Sequence, residues 1–120
     1  MQLRFTRTAE TSIRCEFTAA PHLAGAPGVL HGGIQATLLD EVLGATAHTA
    51  YGEHGSASMV TADFTLRYRR PVPVDAPIAV CGDLVRIDGR NHYVEGRIEN
   101  AAGDVLTVAE ARWCLIEPAE

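Results

Sequence analysis

Lysine is missing: all ten basic residues of this 120-residue chain are arginines. Acidic residues outnumber them, fifteen to ten, for a net charge of −5. That balance excludes the basic surface that nucleic acid requires of a partner. Cysteine is scarce and scattered. Cys15, Cys81 and Cys114 are odd in number, far apart and never in a CxxC pair, so neither a disulfide framework nor a zinc site is indicated. They read as reduced core residues of a cytoplasmic protein. His22, His54 and His92 have no spacing to cysteine or carboxylate that suggests a metal. Phosphate-cradling GxGxxG and GxxxxGK motifs are absent. The longest apolar run falls far short of the roughly 20 residues of a membrane span, and no charged-then-apolar leader precedes it. What remains is 47% hydrophobic and of a length that makes one domain over residues 1–120. A domain this small often completes an enclosed pocket with a second copy of itself.

One stretch organises the rest: His31-Gly32-Gly33-Ile34-Gln35-Ala36-Thr37-Leu38-Leu39-Asp40-Glu41. Leu, Ala and Val dominate it and no proline interrupts it to about Ala50, which predicts a helix ending near Tyr51-Gly52. At about 100° per residue, Asp40 shares a stripe with the small residues Gly33, Ala36, Thr37, Gly44 and Ala47, with apolar flanks on both sides. One reading turns Asp40 to water, as most aspartates are. The other packs the carboxylate in a channel of small side chains, a placement that needs hydrogen bonds to be tolerated. The glycine pair adds free helix-start amides, suited to a developing oxyanion. Asp40 follows them by roughly 10 Å of helix rise, a gap for a bound thioester or ester to span through its carbonyl.

Around this helix the pattern is of strands. Gln2–Thr6 alternates weakly, "RTAET" reads as a turn, and Ser12–Thr18 alternates well. Ala19–Leu30 is a Pro/Gly/Ala loop that delivers the chain to the helix, and Glu53–Ser56 is a polar turn beyond it. Ser58–Arg70 is a long strand with Val60, Ala62, Phe64, Leu66 and Tyr68 on one face and Thr61, Asp63, Thr65 and Arg67 on the other. Pro71 and Pro73 end it. Ile78–Ile87 and Asn91–Glu99 flank the hairpin pair Asp88-Gly89, and Val105–Ile116 is the last strand. Two strands, a helix and four strands make an α+β domain, an antiparallel sheet wrapped around one central helix.

The stretch "HGGIQATLLDEVLG", with "GAPGVLHGG", "VTADFTLRYRRPVPV" and "VAEARWCL" around it, resembles the hotdog-fold acyl-CoA thioesterases of the phenylacetate-pathway and thioesterase-superfamily-member type. The resemblance covers nearly the whole chain. It implies the hotdog fold, and hydrolysis of an acyl-CoA thioester without metal or redox cofactor. It implies Asp40 as general base or nucleophile, Gly33, with Gly32 beside it, as oxyanion amides, and His31 as an orienting group at the thioester mouth. Thr61 matches a hydroxyl position near the catalytic water, contributed in that family by the partner subunit of a dimer; read alone, it is an ordinary exposed strand threonine. Arg69, Arg70 and Arg90 flank loops where the family binds coenzyme A phosphates, although loop arginines are commonly just solvated. A homodimer or a dimer of dimers is the expected assembly. One departure stands out: several relatives carry Asn six residues before the HGG histidine, where this chain has Gly25. Two rivals are a hotdog hydratase or dehydratase of β-hydroxyacyl thioesters, faintly suggested by "PGVL", and a non-catalytic acyl-CoA-binding module.

Overall fold

The computed structural model describes residues 3–51 and 58–116. The helix ends at His48 and continues as one 3-10 turn over Thr49–Tyr51, a little before the expected end near Tyr51-Gly52; Gly52, the turn over Glu53–Ser56 and His54 lie outside the described residues. Among the described residues six strands form one antiparallel sheet around a single long helix, the hotdog architecture. In chain order these are β1 (Phe5–Ala9), β2 (Ser12–Thr18), α1 (Gly32–His48), β3 (Met59–Tyr68), β4 (Pro77–Asp88), β5 (Asn91–Asn100) and β6 (Val105–Leu115). Across the sheet the order is β1-β2-β4-β5-β6-β3, so β3 is an edge strand although it follows the helix directly.

The first strand lies later than its alternation predicts. β1 runs Phe5–Ala9, with the turn at Glu10 and Thr11 in place of "RTAET". All five of its residues are exposed. A strand with no buried face carries no period-two signal to place it.

The helix packs through Leu38, Leu39, Val42 and Leu43, each 0% exposed, for about 1.5–3 kcal/mol of burial per side chain. It comes this close because the sheet offers a trough without side chains. Gly82 on β4 and Gly96 on β5 are register partners, and Ala109 on β6 continues the row. A Cβ at Gly96 would stand 2.8 Å from Leu43 Cδ2, and one at Gly82 would collide with the buried Thr46 hydroxyl. Residues facing the sheet are therefore the apolar flanks of the small-residue stripe. That stripe is mostly outward: Gly33 and Thr37 are exposed, Ala36 and Asp40 are half-buried, and only its far end, Gly44 and Ala47, is buried. The expected enclosed channel for Asp40 does not form, because only half of the helix surface meets the sheet. Cys15 and Cys81 are buried and Cys114 is half-buried.

Strand β3 departs most from its sequence pattern. Thr61 pairs with Trp113 and Asp63 with Arg112, so one extra β3 residue is inserted between them as a bulge. The insertion reverses which alternate residues face the helix. Met59 and Thr61 before the bulge, and Phe64, Leu66 and Tyr68 after it, end on the same side. Asp63 turns outward and accepts from Arg112 Nε at 2.6 Å.

Candidate functional site

The bulge aims the Thr61 hydroxyl at the helix. Thr61 Oγ1 donates to Asp40 Oδ1 at 2.8 Å, within one chain. The resemblance had implied a threonine from a second subunit; here the pair forms inside a single copy. Asp40 Oδ2 has no hydrogen bond among the described residues. Asp40 lines a cavity of about 250 Å³ walled by Phe5, Gly44, Ala45, His48 and Trp113, and Glu41 borders it too. Glu41 is exposed where Asp40 is half-buried. The six-membered ring of Trp113 takes the place of a side chain at residue 44: a Cβ on Gly44 would lie 2.7 Å from Trp113 Cη2.

The glycine pair opens α1 as expected, with His31 as its N-cap. His31 Nδ1 accepts from the Gly33 N–H at 2.9 Å. The predicted oxyanion amide therefore already has a partner in this structure, while the Gly32 N–H finds no acceptor among the described residues. Tyr68, carried to the same side of β3 by the bulge, donates its hydroxyl to the Gly32 carbonyl at 3.0 Å. Gly32, Gly33, Gln35, Tyr68, Arg69 and Arg70 line one open groove of about 510 Å³.

Two expectations divide at this point. Within one chain the glycine amides and Asp40 border different cavities, so no single thioester carbonyl meets both. The helix rise between them, roughly 10 Å, exceeds any hydrogen-bond reach. Arg69 and Arg70 join the glycine groove and donate their backbone N–H groups to Leu106 O, both at 3.0 Å. Arg90 does not join them. Its carbonyl accepts from the Leu115 N–H at 2.8 Å, at the far end of β6 from Leu106, about 30 Å along the strand.

Two buried polar residues lie outside the expected site. Gln35 is 4% exposed, donates to Leu30 O at 3.0 Å and accepts from Thr107 Oγ1 at 2.7 Å. His92 is 0% exposed; its Nδ1 donates to Arg90 O at 3.1 Å, leaving Nε2 to accept from the Tyr51 hydroxyl at 2.6 Å. A polar residue inside an apolar helix pattern was the available hint for Gln35; nothing marked His92. On the sheet face away from the helix, Arg97 bonds Glu99 Oε2 at 2.8 Å and Asp83 Oδ2 at 3.2 Å. Its guanidinium hydrogen bond holds the Glu99 carboxyl below its ordinary range. Burial pushes the neighbouring Cys81 thiol up, against the two arginines beside it.

A family model described as the thioesterase superfamily matches residues 27–107. The acyl-coenzyme A thioesterase THEM4 of Rattus norvegicus is 31% identical over 115 residues, 95% of this chain and 47% of that protein. The Xenopus laevis THEM4 is 31% identical over 102 residues, 85% of this chain and 44% of its own length. The chain thus spans about half the length of the curated relatives it matches. Among solved structures, a thioesterase superfamily protein superposes with a TM-score of 0.83 at 32% identity, covering 92% of this chain and 55% of that one. A protein of Streptococcus mutans solved with acetyl CoA bound superposes at 0.86 over the whole chain and 93% of its own, at 13% identity, a likeness of fold alone.

Proposed function

Because the chain belongs to the thioesterase superfamily, we propose that it hydrolyses acyl-CoA thioesters to the free acid and coenzyme A. The observation that carries this reading is the Thr61–Asp40 hydrogen bond at 2.8 Å. It fixes one carboxylate oxygen of a half-buried Asp that lines a cavity, and leaves the other without a hydrogen bond among the described residues. That second oxygen takes the proton of an attacking water, or attacks the carbonyl carbon itself. Either path builds negative charge on the thioester oxygen, and the Gly32 N–H is a donor at the positive end of α1 for that charge. His31 holds Gly33 in line until the carbonyl oxygen competes for its amide. Arg69 and Arg70, forked donors in the glycine groove, suit the phosphates of coenzyme A. The acetyl CoA bound to the Streptococcus mutans protein supports a ligand of that kind.

The separation of amides from carboxylate within one chain calls for a second copy. β3 is a ten-residue edge strand whose outer flank has no strand partner among the described residues, with Val60 47% and Tyr68 54% exposed. Such an edge is a ready template for pairing. Antiparallel pairing of β3 with the same strand of a second copy runs the Tyr68 end past the Thr61 end. The Gly32 and Gly33 amides of one copy then approach the Asp40–Thr61 pair of the other, and each dimer holds two composite sites.

A panel of acyl-CoAs, with free thiol detected and sedimentation run at micromolar concentration, tests both parts together. Thiol release by a species of at least dimer mass is expected. Full activity in a monomer of about 13 kDa overturns the shared site. Absence of thiol release from every acyl-CoA overturns the hydrolase.

A further inference from the structure

Glycine gives the start of α1 no stiffness of its own, since a residue without Cβ populates both signs of φ. Oxyanion donors act only when held within about 0.5 Å of their productive place. Something outside the two glycines must hold them there. Gln35 sits one turn into the helix, on the face shared with Leu38, Leu39 and Val42. A buried amide among leucines is costly unless hydrogen-bonded, and this one is bonded at both ends. Nε2 donates to the Leu30 carbonyl at 3.0 Å, and Oε1 accepts from the fully buried Thr107 hydroxyl of β6 at 2.7 Å.

Leu30 is where the β3–β4 connection grips the chain just before the glycines. Its own N–H donates to Val72 O at 2.7 Å. The next residue, His31, donates its N–H to Leu23 O at 3.0 Å and caps Gly33 with its ring. Gln35 thus links the incoming loop, the first turn of α1 and strand β6 through one side chain. We propose that Gln35, locked by Thr107, is a positioning residue for the Gly32 and Gly33 amides, acting through the Leu30–His31 backbone. The inference rests on the thioesterase reading of those amides.

Thr107→Val keeps the branched shape and removes the donor, Thr107→Ser restores a hydroxyl, and Gln35→Leu removes both bonds. Turnover is read well below each variant's Tm. For Thr107→Val and Gln35→Leu, kcat is expected to fall about 5- to 20-fold with KM within about two-fold, and Thr107→Ser to recover most of the loss. Hydrogen exchange at the Gly33 and Ile34 amides, which needs no substrate, is expected to quicken about ten-fold in Thr107→Val and return toward wild type in Thr107→Ser. A lowered Tm with unchanged kcat and unchanged exchange at these amides overturns the proposal and leaves the pair as ordinary buried polar packing. If the wild-type protein releases no thiol, it is the hydrolase reading that fails, and the exchange rates still decide whether Gln35 and Thr107 hold the glycines.

Discussion

Asp40→Asn is expected to lower kcat for acyl-CoA hydrolysis by at least about 10²-fold, close to 3 kcal/mol in the barrier. KM and Tm should stay near wild type. Asn keeps an oxygen to accept from Thr61 Oγ1, so the 2.8 Å contact survives the substitution. What it removes is the basic, nucleophilic oxygen of a side chain that lines the cavity. Glu41 is the control, since both acids border the same cavity and lining alone does not choose between them. Only Asp40 is half-buried and bonded by Thr61, so Glu41→Gln should hold kcat within a few-fold. Steady-state thiol release by the two variants is the measurement. Loss of activity in Glu41→Gln with retention in Asp40→Asn would show the wrong carboxylate chosen. A hydratase would give a different record, adding water to enoyl thioesters without releasing thiol, and a binding module would turn over in neither protein.

Thr61→Val carries the second-largest expected effect. Valine keeps the branched shape and strand propensity, so the β3 bulge and its pairing with β6 should persist. The hydroxyl is lost, and with it the hydrogen bond that orients Asp40. We expect kcat to fall about 10- to 100-fold, or roughly 1.4–2.7 kcal/mol. Thr61→Ser should recover most of it by retaining the donor. An unchanged kcat in Thr61→Val would make Thr61 a strand residue that merely touches Asp40. Circular dichroism and Tm read alongside separate a lost orientation from a lost fold.

The expected face of Thr61 illustrates where alternation stops informing. Strict period two assigned Thr61 to the polar side of Ser58–Arg70, opposite Phe64, Leu66 and Tyr68. One inserted residue before Asp63 puts all four on the helix side. Nothing between Met59 and Tyr68 marks that insertion, because a bulge is fixed by what the partner strand presents: Trp113 against Thr61 and Arg112 against Asp63. The same limit applies to the arginines. Arg69, Arg70 and Arg90 looked equivalent as loop cations, yet the first two stand at one end of β6 and the third at the other. The cap on Gly33 was also unreadable, since whether an imidazole turns back onto its own helix depends on its rotamer.

Covalent spacing and local periodicity determined the order of elements, the extent of β2 as Ser12–Thr18, the helix start at Gly32, and the placing of Asp40 seven residues beyond Gly33 on that helix. These depend on neighbours within a few residues along the chain, and the sequence states such neighbours directly. Tertiary structure alone decided that the helix settles into the Gly82–Gly96 trough, that a bulge turns Thr61 to Asp40, that Gln35 bridges Leu30 to Thr107, and that β3 lies at the sheet edge. Each depends on register between residues far apart in sequence, and a shift of one residue in a strand exchanges every side chain between its two faces.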